Sequence, residues 1–297
     1  DTVKRNELNK FYDFNSEEEK YISLWGNNPQ QDLLNRFNLS FTHHEKQNWF
    51  LPMPPPNITG QLHLGHSLFL TIQDIKTRYN TIIGNNTLWI PGTDHAGLAT
   101  HEKIISSMKE KNLSPDDKDL YFKEAHTWKD FYQNRIRKQI FSMGASCDWN
   151  RERFTLDDEY ISSTLKAFDI CCENNMLYRE GNDYYLAMSL LAIELLDDLE
   201  NGKIKITPER GKNTLKSFLR NIEPWRISRQ IPWGLPIPIA YNPSQDRTER
   251  LNHIKDLNHE WEKQDITFDT WFLSSIWPAA ILGWPNKTPE FEDFYPC

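Results

Sequence analysis

The segment from Trp49 to Ile90 constrains the fold more than any other part of the chain. Trp49 to Met53 is short, apolar and aromatic, and Pro54, Pro55 and Pro56 stop it, because proline has no N–H to give to a strand ladder. Gly60 opens a turn, and Leu62 to Tyr79 then carries a helical pattern. Thr87 to Ile90 is a second strand, ended by Pro91-Gly92, and a further helix is expected from His95 to Lys109. Strand, glycine turn, helix and strand in that order predict a βαβ unit, with a right-handed crossover and parallel strands.

The turn of this unit is where chemistry is expected. In PPPNITGQLHLGH, Pro54 to His66, a loop holding Thr59 and Gly60 follows a strand and opens a helix, where free backbone N–H groups and the helix dipole favour an anion such as phosphate. His63 and His66 are three apart, so on a helix they share a face and can hydrogen-bond one group. Gly65 between them lacks a side chain, which lets a flat ligand such as a nucleotide base approach the backbone. A His-x-x-His pair alone is more often two surface histidines, or half a metal site.

Composition bounds the rest. Hydrophobic residues at 38% and aromatics at 13% suit a packed globular protein rather than a disordered one. A formal net charge of -8 excludes a protein that coats nucleic acid, so DNA is not an expected partner and any RNA contact is local. The densest basic stretches are Arg135, Arg137 and Lys138, and Lys203 to Arg220. They are either phosphate-facing or ordinary solvated helix faces. Cys147, Cys171, Cys172 and Cys297 fit neither a disulfide framework nor a tetrahedral zinc site, and point to a reducing, cytoplasmic setting. Asp1 to Lys10 is charged and is no secretory signal. The longest apolar stretch, Trp271 to Trp284, is broken by Pro278 and too short to span a bilayer, so no membrane association is expected.

Around the βαβ unit, residues 1–46 read as a polar appendage with a helical stretch near Glu17 to Trp25. Residues 116–200 read mainly as amphipathic helices broken at Gly144 and Gly181. A further helix follows Pro208 as far as Asn221, and a segment rich in tryptophan and proline spans Pro224 to Pro238.

Taken whole, Pro54 to His66 resembles the signature histidine motif of class I aminoacyl-tRNA synthetases, in its valyl branch. LWIPGTDHAGLAT (Leu88 to Thr100), GASCDWNRERFT (Gly144 to Thr155), PWRISRQIPWG (Pro224 to Gly234) and FDTWFLSSIWPAAILGWP (Phe268 to Pro285) are similar to valyl segments too, and extend the resemblance over 47–296. Three positions depart from it: the family usually has Cys, Trp and His where Arg226, Pro232 and Leu235 stand. Such a resemblance implies an α/β, Rossmann-like, doubly wound parallel sheet that binds nucleotide, with a mostly helical, shortened insertion. It divides the chain into an appendage at 1–46, the first half of the catalytic domain at 47–180, a connective insertion without an editing domain at 181–210, and the start of the second half at 211–297. The editing domain of the family would lie between Tyr178 and Tyr184, where almost nothing intervenes.

The implied reaction joins valine to ATP, with Mg²⁺ carried on the substrate, as valyl adenylate, and passes the acyl group to tRNA(Val). No protein nucleophile or protein-bound metal is needed, so catalysis is positioning and charge stabilisation. His63, His66 and Thr59 are implied as catalytic. Asn57, Gly60, His63, Gly65 and His66 are implied to hold ATP, and Pro54, Pro55, Asn57, Asp94 and Trp271 to hold valine. Asp94 would pair with the ammonium, although aspartate at that place also reads as a helix cap. Trp271 would face the valine side chain across from Pro54 and Pro55; Trp277 and Trp284 read as core. The resemblance implies that the lysine-rich loop and anticodon-binding region of the family would follow Cys297, so weak adenylate formation is expected of residues 1–297 by themselves. A rival reading is a synthetase-like protein that binds valine or nucleotide without full aminoacylation; isoleucyl or leucyl relatives are disfavoured by Pro-Pro-Pro-Asn and Asp-Thr-Trp.

Overall fold

The computed structural model describes residues 47–254 and 260–296, together with 13, 14, 16–18 and 20. Of the helix expected near Glu17 to Trp25, residues 16–18 and 20 are helical; the remainder, with most of the appendage, lies outside the described residues. β1 (Asn48–Pro52), α1 (Leu64–Ile82) and β2 (Asn86–Ile90) form the expected βαβ unit, its strands parallel, with Asn48 opposite Asn86 and Pro52 opposite Ile90.

β2 shows why two helical layers are needed. Its side chains alternate between faces, so Leu88 and Ile90 enter one buried cluster and Trp89 another. Fully burying such a residue contributes roughly 1.5–3 kcal/mol. Trp89 is completely buried, and its indole N–H donates to Gln73 Oε1 at 3.1 Å, so no polar atom is stranded. α1 buries only Leu70, Thr77 and Thr81; Leu64, Leu68, Ile72, Ile75, Tyr79 and Ile82 remain exposed along its other side.

After Pro91 the chain forms a short β3 (Gly92–Thr93), then α2 (Gly97–Glu110) and α3 (Lys118–Ser142), the latter capped by Asp117, which accepts from the Leu120 N–H. β4 (Arg153–Phe154) pairs parallel with β3. α4 (Asp158–Glu173), capped by Asp157, leads to β5 (Leu177–Glu180) and β6 (Asp183–Leu186), an antiparallel hairpin turning at Gly181. α5 (Ser189–Glu200) and α6 (Glu209–Arg220) then make a helical pair around Ala192, Leu199 and Leu219, before β7 (Trp225–Arg226) joins β6.

The remaining elements surround the same core. β8 (Ser228–Arg229) is followed by β9 (Ile239–Asn242), β10 (Arg247–Arg250) and β11 (Glu262–Lys263), a three-stranded sheet with β9 central. β12 (Thr267–Phe268) returns to pair with β8 and leads into α7 (Thr270–Ser275), α8 (Trp277–Ala280) and α9 (Pro289–Phe294). The architecture is the α/β fold expected, although its sheets are small. Residues 116–200 are mainly helical, as expected, and the break at Gly181 is the turn of the β5–β6 hairpin, across which Tyr178 and Tyr185 stack at 5.7 Å. Asp94, which the motif LWIPGTDHAGLAT is expected to place at the end of the second strand, follows β3 instead, because Pro91 breaks the strand and Gly92 resumes with a new partner. Among the described residues no helix is long and apolar enough to cross a membrane.

Candidate functional site

The proline loop and the end of β3 lie side by side. Asn57 and Asp94 form a parallel bridge: the Asp94 N–H donates to Pro56 O at 2.9 Å, and the Ile58 N–H donates to Asp94 O at 3.0 Å. Ile58 is fully buried and anchors this crossing. The groups read from two separate motifs are therefore hydrogen-bonded neighbours.

On the loop side lies a cleft of about 450 Å³, lined by Pro54 to Asn57, Thr59 to His63, His66 and Phe69. Its lining contains no carboxylate. His63 is not inside the helix: it is the N-cap of α1, with extended backbone at φ -120 and ψ 176. Its Nδ1 accepts from the Gly65 N–H at 3.1 Å, while His66 Nδ1 accepts from the His63 N–H at 3.2 Å, a reciprocal cap built from two imidazoles. With both Nδ1 atoms accepting, each ring carries its proton on Nε2, leaving two N–H donors from rings whose centroids are 4.0 Å apart. Partial burial, and then the neighbouring His63, lower the His66 pKa below its ordinary value.

Gly65 has a reason in this arrangement. A Cβ there would lie 2.9 Å from His63 Cε1 and 3.1 Å from Nδ1, so the missing side chain makes room for the His63 ring. At Gly60 a Cβ would meet nothing within 4 Å, so packing does not demand glycine there.

Across the bridge, Asp94 is 3% exposed. Its Oδ1 accepts from the Ala96 N–H at 2.6 Å and its Oδ2 from the Ser274 hydroxyl. It is not the cap of α2, which begins after Ala96 without any side-chain cap. A carboxylate offers about four lone-pair sites, so both oxygens keep capacity for an ammonium. The chain reverses sharply behind it: Ala96 and Gly97 both have positive φ, 56 and 39, and a Cβ on Gly97 would lie 2.3 Å from Thr270 Oγ1. That close approach sets the start of α7 beside Asp94. His95 is wholly buried; its Nδ1 lies 2.8 Å from Thr155 Oγ1, and burial lowers its pKa against the opposing pull of Asp94 and Asp269.

Trp271 belongs to the first turn of α7, its N–H donating to Asp269 Oδ1 at 3.0 Å. Its side chain is 72% exposed and stands outside the lining of the cleft that contains Pro54 and Pro55. The structure thus gathers Asn57, Thr59, Gly60, His63 and His66 around the cleft with Asp94 bridged to Asn57, and carries Trp271 on the helix whose Ser274 hydroxyl reaches Asp94. Of the other two tryptophans, Trp277 is buried and Trp284 half-buried. Where the resemblance departs, Arg226 pairs with Asp183 at 3.3 Å and Leu235 enters the core.

Sequence reading missed the brace behind the loop. Three residues on one face of α3 follow it: the Trp128 indole N–H donates to Ile58 O at 2.8 Å, Arg135 Nη2 donates to Gln61 Oε1 at 3.0 Å, and Gln139 Oε1 accepts from the Leu62 N–H at 2.9 Å. Their spacing of seven and four residues puts them on one helix face, but nothing in it names the loop as their partner.

With this geometry in place, the similarity to known proteins is specific. The model of tRNA synthetases class I (I, L, M and V) matches residues 30–183, 179–250 and 242–297. The chain therefore belongs to the class I tRNA synthetases of that group. It is 40% identical to the chloroplastic/mitochondrial valine–tRNA ligase 2 of Arabidopsis thaliana over 98% of this chain and 50% of that protein. It is 35% identical to the valine–tRNA ligase of Desulfotalea psychrophila over 97% of this chain and 53% of that one. The chain spans about half the length of the curated relatives it matches. The alignment to the Arabidopsis protein runs over 495 residues although this chain has 297, so the relative carries long internal stretches without a counterpart here. One break in the family match, at 179–183, falls on the β5–β6 turn.

Solved structures agree on the fold. A leucyl-tRNA synthetase of Agrobacterium radiobacter K84, in a ternary complex with tRNA and LeuAMS, superposes with TM-score 0.70 at 12% identity, covering 92% of this chain and 59% of that one. Methionyl-tRNA synthetase of Mycobacterium tuberculosis, bound by methionyl-adenylate, gives 0.63 at 15% identity over 84% and 50%.

Proposed function

We propose that this chain carries the valine-activating centre of a valine–tRNA ligase, joining valine to ATP as valyl adenylate for transfer to tRNA(Val). The observation that supports it most is the Asn57–Asp94 bridge, which sets an imidazole-lined cleft free of carboxylates directly beside a buried carboxylate. One side suits a triphosphate and the other an ammonium. The valine identity rests on relatives named valine–tRNA ligase.

In this reading a valine carboxylate oxygen attacks the α-phosphorus as the bond to the pyrophosphate oxygen breaks. The Nε2–H groups of His63 and His66 donate to phosphate oxygens as charge builds on them, and Asp94 holds the ammonium. Thr59, Asn57 and the backbone at Gly60 contact the nucleotide from the loop, and Gly65 lets the base lie near the helix start. Pro54, Pro55 and Trp271 form the side-chain pocket, the indole facing valine across from the two prolines. Mg²⁺ enters on ATP as part of the substrate, in keeping with a cleft lining that has no carboxylate to hold it. A reducing, cytoplasmic setting is supported by Cys147, Cys171 and Cys172, all free thiols.

The domain reading is also ours: 1–46 as appendage, 47–180 and 211–297 as parts of the catalytic domain, and 181–210 as a remnant connection. Thermal shift with valine, isoleucine, threonine and a non-hydrolysable valyl adenylate analogue tests the function. A ligand bound at 100 times its Kd stabilises by about 2.7 kcal/mol, so the analogue is expected to raise Tm most and valine above isoleucine. Equal shifts from valine and isoleucine would overturn the valine reading.

A further inference from the structure

Arg135, Arg137 and Lys138 form a basic run that the activation chemistry does not use. The structure separates them. Arg137 is bound to Glu152 through both Nε and Nη2, at 2.9 and 2.6 Å, so its charge is matched by a carboxylate. Arg135 instead faces the loop, where its Nη2 donates to Gln61 Oε1 at 3.0 Å. Gln61 is itself part of the cleft lining. The amide it touches is neutral, and no ion pair to Arg135 is formed among the described residues. A guanidinium is always protonated and keeps several donors beyond the one that Gln61 takes.

Position and charge act together here. Arg135 is held on the face of α3 that braces the loop, between Trp128 at Ile58 and Gln139 at Leu62. It is thus fixed at the rim of a cleft whose polar side chains are two amides, a hydroxyl and two imidazole donors, with no acid in the lining to neutralise it. The α1 N-terminus adds its dipole to the same space. A cation fixed at such a rim attracts an anion far more than it contributes to folding, since the one partner it has among the described residues is an exposed neutral amide.

We infer that Arg135 is a binding residue for the phosphate chain of the nucleotide, acting beside His63 and His66 and preoriented by Gln61. This rests on the nucleotide reading of the cleft and adds to it a residue outside the signature motifs.

Isothermal titration calorimetry with Mg²⁺-ATP and with adenosine, on the full 297-residue chain, tests it. Wild type is expected to bind ATP more tightly than adenosine. Arg135→Ala is expected to weaken ATP binding by roughly tenfold or more, the scale of one charge-assisted contact, and to leave adenosine unchanged. Arg135→Lys should fall between, and Gln61→Ala, which removes the tether but not the charge, should lose less than Arg135→Ala. ATP affinity retained within about twofold in Arg135→Ala, or an equal loss for adenosine, would overturn the inference while leaving the nucleotide reading in place. So would a loss confined to a short single-stranded RNA. Wild type showing no preference for ATP over adenosine would bring down the nucleotide reading itself.

Discussion

Substituting Gly65 by alanine separates the stability of α1 from the placement of His63. Alanine is favoured over glycine within a helix by about 0.8–1 kcal/mol. Against that, its Cβ would lie 2.9 Å from His63 Cε1, and the exposed ring must swing away, losing the cap bond it makes to the residue 65 N–H at 3.1 Å. Loss of an N-cap costs about 1 kcal/mol. The two effects oppose each other at similar size, so the folding free energy should change by less than about 1 kcal/mol. Function should not be spared, because the displaced ring no longer presents its Nε2–H beside that of His66. A charge-assisted hydrogen bond of about 1.5–3 kcal/mol is lost, which is about a tenfold or greater weakening of ATP binding. Urea denaturation gives the first quantity and calorimetry the second, while nitrogen NMR of the imidazoles reports whether His63 Nδ1 still accepts a hydrogen bond. A stability loss above about 2 kcal/mol, or ATP binding unchanged with the ring displaced, would refute the reasoning.

On α1, Leu70→Ala should cost about 2–5 kcal/mol because Leu70 is fully buried, whereas Leu68→Lys on the exposed side should stay within about 0.5 kcal/mol; chemical denaturation distinguishes them. Burial keeps the His95 pKa below 6.5, so the folded state binds fewer protons than the unfolded chain once pH drops beneath that value. Stability should therefore be full above pH 6.5 and decline as pH falls toward the folded pKa, with a shallower decline in His95→Gln, measured by denaturation at stepped pH. Asp94→Asn should raise the Kd for valine about tenfold or more while leaving that for ATP unchanged, by calorimetry; equal losses for both would refute the ammonium role. Valine pockets of this family are the standard illustration of weak rejection of threonine, at only about 10². With a tight turn at Gly181, supplied threonyl-tRNA should hydrolyse with this chain at the rate seen in buffer alone.

The βαβ unit was legible because its signals are local: prolines after Met53, a glycine at 60 and apolar periods on either side. That Asn57 and Asp94 are paired directly through the backbone was not legible, because the bridge joins single residues from two segments and leaves no local pattern. Placement of His63 inside a helix missed its role as the cap, since an imidazole is an unusual cap and the pattern that marks one is normally Ser or Thr with Glu or Gln. β3 and β4 have two residues each and leave no period to read. The brace from α3 joins residues about 70 positions apart, which no local pattern reports. Trp271 could be named from its motif, but which way an indole turns at the start of a six-residue helix depends on its tertiary neighbours.

The hairpin of β5 and β6 behaves like a socket. Its two strands are already registered through Tyr178 and Tyr185, and the sheet is completed from elsewhere in the chain by β7, so the turn at Gly181 bears little of the load. Any folded unit whose own ends lie close together can be spliced in at that point, or cut out of it, without repacking what lies beneath. Gain or loss of a whole module can thus proceed there while the bridge between Asn57 and Asp94 stays as it is.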